Sequence, residues 1–488
     1  MLFHSQTFIL GFLPLCLIGF FLVGRYAGPR WALGWLICGS IVFYGWWNPV
    51  HVPLLLASIT LNHAVGRRIH RLASAGAHDA ARCWLILGVA DNLAVLAWFK
   101  YADFLRGTLA PNAAPLGIAL PLAISFFTFQ QIMFLADCRD TGRPAPDLLR
   151  YTAFVAFFPH LIAGPLVRPR DIIPQLADPA LAVPRAADII AGLTLFLLGL
   201  AKKLVLADLF GGFADTGFDA AARGEPLTLL EAWPATLAYA LQIYFDFSAY
   251  SDMATGLARM IGVRFPLNFD SPYQARNIAE FWRRWHITLG LFLRDHVYIP
   301  LGGNRAGLRR QALHLTATML LAGLWHGAAW RFVLWGGLHG AMLVGHMLYR
   351  RVARPLPAPV GQGLTMLCVV LAFVPFRAEG LQAAWAMTRG LLGLNGLALP
   401  AMFMTAFPAL GAIATPVPLL LFLGDARTLS LPDVLACLLL GWIIVLALPH
   451  AQALSERAQL WAVTASFALT VRALCFAPHV APFLYFQF

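Results

Sequence analysis

The chain has 488 residues, of which 60% are hydrophobic and only 12% charged. Soluble globular proteins carry roughly 25% charged residues, so this composition excludes an ordinary soluble enzyme and indicates a protein that crosses a bilayer many times. The net charge of +12 does not imply a nucleic-acid partner, because basic residues collect at the cytoplasmic ends of membrane spans.

At about 20 apolar residues per crossing, spans are expected near 7–23, 31–49, 51–66, 84–104, 116–136, 152–166 and 187–206. Further spans are expected near 235–262, 311–329, 331–349, 362–376, 399–423, 433–449 and 458–477. Several are too short to cross alone. The expected architecture is an all-α polytopic membrane protein of about ten to twelve transmembrane helices with re-entrant pieces. No polar linker separates two halves, so residues 1–488 read as one membrane domain with a distinct core near 240–340.

The first span has no basic residue before it and no small-residue cleavage site closing it, so it reads as retained. Arg25 and Arg30 follow the first span, Arg67, Arg68, Arg71 and Arg82 the third, and Arg139, Arg143 and Arg150 the fifth. The intervening loops, near Asn48–His51 and Ala110–Pro115, hold no Lys or Arg. This alternation puts the basic loops in the cytoplasm and the N-terminus outside. The seven cysteines form no CxxC pair and mostly lie in apolar segments. They read as small apolar side chains, and no metal site or bound cofactor is expected.

Two later segments break the apolar pattern. Ionisable residues at membrane depth cost ~2.5–3.5 kcal/mol each at a helix centre, so by default they mark cavities or chemistry. In residues 241–305, Asp246 and Asp252 lie in an aromatic-rich helix that Pro266 and Pro272 end. A new helix is expected from near Asn277 to about Val297, with Arg283, His286, Gly290, Leu293 and Val297 on one face and Trp282, Trp285 and Leu289 on its neighbour. That helix is too charged to cross lipid alone and reads as re-entrant or interfacial. In residues 320–340, His326 sits deep in an apolar run beside Trp325. Gly323, Gly327, Ala328 and Ala329 around it permit close approach. Taken alone, each histidine and tryptophan reads as a packing residue.

Together the motifs resemble the membrane-bound O-acyltransferase family, in its bacterial polysaccharide branch. They are FFPHLIAGPLVR at 157–168, QIYFDFSAYSD at 242–252, FPLNFDSPY at 265–273, FWRRWHITL at 281–289, LRDHVYIPLGGNR at 293–305 and GLWHG at 323–327. The segment 376–396 and the terminal FLYFQF at 483–488 fit as well. The resemblance implies a ring of helices around a central funnel and acyl transfer from a thioester to a hydroxyl. It places the family's histidine at His326 and its second polar position at His286. His160, Ala249 and His296 depart from the family's usual residues.

A buried neutral histidine suits this chemistry, because it takes a hydroxyl proton at neutral pH. His326 is the expected base, and His286 the group that orients it or donates to the thioester carbonyl. Arg283, Arg284, Trp285, Trp325, Asp246 and Arg294 are expected to bind substrate, although Arg294 with Asp295 also reads as a structural ion pair. His339 and His314 lie outside the motif cores and are expected to be bystanders. The expected donor is acetyl-CoA, with an acidic carrier protein as the alternative, drawn to a basic mouth at Arg276, Arg283, Arg284 and Arg305. The implied partners are a periplasmic SGNH-type acetyltransferase, polysaccharide synthesis and export machinery, and membrane lipids. The implied location is a bacterial inner membrane. Two other readings remain at this point. A proton-relaying transporter or flippase would show inverted repeats, which the halves lack. A non-catalytic scaffold of an export complex would not need both histidines.

Overall fold

The computed structural model describes the chain except for residues 141, 143, 306, 401–404, 406–407, 413, 418–430, 477–482 and 485–488. Helices dominate, and the strands described are the three-residue parallel pair Ala398–Pro400 and Thr415–Val417. Among the described residues, six helices are long and apolar enough to cross a membrane. They are Thr7–Ala27, His78–Leu109, Ala186–Ala222, Trp330–Val352, Ala358–Arg377 and Glu456–Cys475. The chain is thus a multi-pass membrane protein. The span expected near 399–423 falls largely outside the described residues, as do Arg143 and all of the terminal FLYFQF beyond Leu484.

Two expected spans take another form. Near 116–136 the helix is only Ile124–Asp137, 14 residues, and every residue from Ile124 to Leu135 is buried. At 1.5 Å per residue it is about 21 Å long, so it is an interior helix. Near 152–166 the helix Leu148–Ala156 stops at Phe157, whose ψ of 105° leaves the helical region, and a four-residue turn, Phe158–Leu161, follows. Pro159 is the second residue of that turn, where its missing N–H costs nothing but could not have continued the preceding helix.

The centre of the fold is the 33-residue helix Leu229–Ile261. Thr228 and Glu231 form a capping box at its start, and Gly262 ends it at φ 98°, a left-handed conformation that favours glycine. Almost its whole length is buried. The helix Ala186–Ala201 lies directly against it. A Cβ on Gly192 would fall 2.6 Å from the Gly256 carbonyl oxygen, and one on Gly199 2.7 Å from that of Ala249. Small residues one repeat apart therefore set this close crossing.

A π-helical segment, Lys202–Ala207, follows. Lys203 Nζ lies 2.8 Å from both Asp246 Oδ1 and Asp208 Oδ1, and Lys202 Nζ 2.5 Å from Asp252 Oδ2. Both aspartates of the central helix are thus paired with lysines inside the protein, which offsets part of the cost of holding them at membrane depth.

The helices Leu308–His326 and Trp330–Val352 form a tight hairpin. Gly323 abuts the Phe332 carbonyl and Gly336, and Gly327 abuts the Phe332 ring. This is the close approach the small residues around His326 predict.

Candidate active site

The charged run does not form one helix. After Gly262 the chain runs without regular structure to Asp270. Asn277 then caps a seven-residue helix, Ile278–Arg284, by accepting from the Glu280 N–H at 2.9 Å. The helix breaks at Trp285 and His286, and His286 has φ 44° and ψ 54°. A second short helix, Ile287–Leu293, follows, and then a π-helical turn, Arg294–Tyr298. The expected continuous face of Arg283, His286, Gly290, Leu293 and Val297 is therefore wrong.

The cause is a long-range clamp. The Ile287 N–H donates to the Asn268 carbonyl (2.9 Å), and the Asp270 N–H donates to the Arg284 carbonyl (2.9 Å). Thr288 donates to Asn268 Oδ1 from its backbone N–H at 3.3 Å and from its hydroxyl at 2.9 Å. These bonds offset the roughly 1–3 kcal/mol that a left-handed non-glycine residue costs. The break turns Trp285 and His286 inward, where they are 5% and 1% exposed, while Arg283 stays exposed.

His326 ends the helix Leu308–His326 and is buried. It lines a cavity of about 20 Å³ with Ile243, Asp246, Phe247, Trp285, Trp335, Phe373, Phe376 and Leu484. That is room for about one water molecule, so an acyl group enters only if aromatic side chains move. The imidazole packs edge-on against Trp335 (5.0 Å between centroids), Phe376 (5.1 Å) and Trp325 (4.8 Å). Trp325 also lies 6.0 Å from His286, and Phe247 4.7 Å from His286. The two histidines thus flank a shared aromatic wall.

Three groups at the site were not singled out by sequence. The Tyr101 hydroxyl donates to the Leu324 carbonyl at 2.7 Å, and Lys100 Nζ donates to the Trp325 carbonyl and to Ser125 Oγ (3.2 Å). They satisfy carbonyls that a helix leaves open at its C-terminus, just where His326 must be held. A lysine late in an apolar span, followed by tyrosine, was the available signal. The third is Leu484, whose N–H donates to Asp246 Oδ2 at 2.9 Å and whose side chain lines the cavity.

Of the expected substrate residues, Asp246 and Trp285 line the cavity and Trp325 adjoins it. Three arginines do not. Arg284 is held by Glu280 (2.9 Å) and by the Asp270 carbonyl (3.2 Å). Arg294 pairs with its neighbour Asp295 at 2.7 Å, and Asp295 also pairs with Arg168 at 2.6 Å. Partial burial works to raise the Asp295 carboxyl, but the Arg294 hydrogen bond and the charges of Arg294 and Arg168 hold it below the usual carboxylate value. Arg283 lines a separate groove of about 700 Å³ with Arg276, His346, Tyr349 and Arg350 and an apolar wall that includes Met342, Leu356 and Leu364.

Other histidines separate in the same way. His160 is fully buried, with Nδ1 2.8 Å from Gln130 Nε2, and does not line the cavity. His314 Nδ1 lies 3.0 Å from the Gly303 carbonyl oxygen. His339 is not the remote position its sequence context suggested: its ring lies 4.8 Å from Trp335 and 5.1 Å from Trp282.

Residues 139–370 match the family model of the membrane-bound O-acyltransferase family. The chain is 39% identical over 433 residues to the peptidoglycan O-acetyltransferase of Helicobacter pylori, covering 82% of this chain and 81% of that one. It is 42% identical over 407 residues to the probable alginate O-acetylase of Pseudomonas aeruginosa, covering 81% and 75%. The teichoic acid D-alanyltransferase of Streptococcus thermophilus is 28% identical over 235 residues, 46% of this chain and 56% of that protein.

Proposed function

This chain belongs to the membrane-bound O-acyltransferase family, and from that premise we propose that it moves an acetyl group from a cytoplasmic thioester toward the hydroxyls of an exported polysaccharide. The class, a multi-pass membrane O-acyltransferase, follows from the family and excludes a transporter or an inert scaffold as the primary reading. Acetyl as the group is our reading from the two relatives near 40% identity, both named for acetyl transfer. Alginate and peptidoglycan mark the polymer class.

In this reading His326 is the base. Its ring accepts the proton of the acceptor hydroxyl, the oxygen attacks the thioester carbonyl, the C–S bond breaks, and the thiolate leaves with a proton returned by the imidazolium. His286 acts across the aromatic wall. Trp285, Trp325 and Asp246 shape the site, with Asp246 held by Lys203. The donor is acetyl-CoA, which is a co-substrate, and the groove holding Arg276 and Arg283 faces the cytoplasm and attracts its phosphates. The acceptor side is completed by a periplasmic SGNH-type acetyltransferase and the polysaccharide export machinery, in a bacterial inner membrane. The observation that carries the reading is buried His326 on the wall of a small cavity inside the membrane domain.

Labelled acetyl-CoA supplied to sealed vesicles of either orientation tests the direction of transfer. Consumption only when the cytoplasmic face is outward is expected. Consumption only from the opposite face overturns the direction, and use of an acyl carrier protein alone overturns the donor.

A further inference from the structure

We propose that Asn268 is a positioning residue that fixes His286 in the Nδ1–H form and leaves its Nε2 as an open proton acceptor beside the cavity. The proposal rests on His286 taking part in acyl transfer, and it goes further by choosing between the two roles open to that ring.

The Thr288 N–H is a donor only, and it meets the Asn268 amide at 3.3 Å. The amide atom at that place is therefore the oxygen. The other end of the same amide is then Nδ2, which donates to Ser251 Oγ at 3.1 Å, a hydroxyl able to accept it. His286 Nδ1 lies 3.1 Å from the same oxygen. Since a carbonyl oxygen only accepts, Nδ1 carries the hydrogen. A neutral imidazole has one N–H, so Nε2 presents a lone pair.

That lone pair is buried and has no hydrogen-bond partner among the described residues. Leaving a buried polar atom unsatisfied costs ~1–3 kcal/mol. The chain bears this cost together with the left-handed backbone of the same residue, φ 44°. The open lone pair is available to a proton donor that arrives with substrate. The ring stands edge-on to Phe247 at 4.7 Å, and Phe247 lines the cavity of His326. Neutral His286 thus accepts a hydrogen bond from a hydroxyl or from the other imidazole. It cannot donate to a thioester carbonyl unless it first gains a second proton.

The test uses the full-length purified protein, with acetyl transfer measured against pH and folding followed by size-exclusion chromatography. Asn268→Ala is expected to lower kcat as much as His286→Ala does, and the double variant to be no worse than either alone. Asn268→Asp keeps an acceptor for the same donors and is expected to stay folded and active. Its negative charge favours the imidazolium, so the acidic limb of the rate profile moves up by about one pH unit or more. A role confined to pinning the chain break would not move that limb. Losses that multiply in the double variant, or an unshifted limb in Asn268→Asp, overturn the proposal. If Asn268→Ala fails to fold, the Asn268→Asp profile decides alone. Intact transfer in His286→Ala has a different meaning: it removes His286 from the reaction, and the proposal falls with that premise.

Discussion

Two regions share the run from Phe281 to Arg305, and they part completely in the folded chain. Trp285 and His286 turn inward at a chain break and lie against the aromatic wall of a small buried cavity. Arg283, Arg284 and Arg294, beside them in sequence, face outward or into ion pairs. Burial cost explains the division. A neutral imidazole enters a membrane interior at far less cost than a guanidinium that never gives up its charge. The proposed function accordingly gives proton transfer to the inner region, and support and attraction of anions to the outer one.

The largest break in this comparison is expected from His326→Ala. Loss of a general base costs ~10²–10⁴-fold, while alanine suits a helix end and removes only one buried side chain. His286→Ala is expected to lose less, because in the proposed mechanism it assists the base rather than taking the hydroxyl proton itself. Both are read as acetyl content of the exported polymer, divided by protein in the membrane. Conversely, His314→Ala should match wild type, because its contact lies in the Gly303 loop. A deep loss there would mean that histidine removal damages the fold generally.

On the outer side the expected effects are smaller. Arg283→Glu should raise KM for acetyl-CoA severalfold with kcat unchanged, the signature of lost uniform binding. A fall in kcat with KM unchanged would place Arg283 in the chemistry instead. Arg284→Ala should cost stability of about 1 kcal/mol, since its pairs are only partly shielded from solvent, and would show as a lower melting temperature. Least of all should come from Arg294→Ala, because that guanidinium is more than half exposed and such pairs are worth less than ~1 kcal/mol. The folded Asp295 carboxyl lies below its usual value. Its contribution is therefore present above the unfolded carboxylate pKa of about 3.9 and fades as pH falls through the lower folded value. Removing Arg294 should flatten that acid-side loss slightly.

The difference between the two regions also marks where sequence reading succeeds. Hydropathy and spacing located the hairpin around His326, the aromatic helix with Asp246 and Asp252, and the start near Asn277. These depend on neighbours a few residues apart. The break at His286 was not legible, because its cause is Asn268, 18 residues earlier. Helical spacing alone extended the pattern to Val297 and put arginines and histidine on one face. The interior helix Ile124–Asp137 was missed for a related reason. An apolar run reads the same whether lipid or protein surrounds it, and only packing reveals that Gln130 and Gln131 are both fully buried. The role of Lys100 is not written along the chain, because its partner, the Trp325 carbonyl, lies 225 residues away.

In the proposed mechanism the buried imidazole of His326 takes the acceptor's proton during acyl transfer, while the charged rim only assists. The most direct test of that role is single-turnover transfer from labelled acetyl-CoA by purified wild-type protein and by His326→Ala, at equal folded protein and saturating donor. The account predicts a rate at least about 10²-fold lower in the variant, with donor binding retained. Transfer at the wild-type rate by folded His326→Ala protein would contradict it.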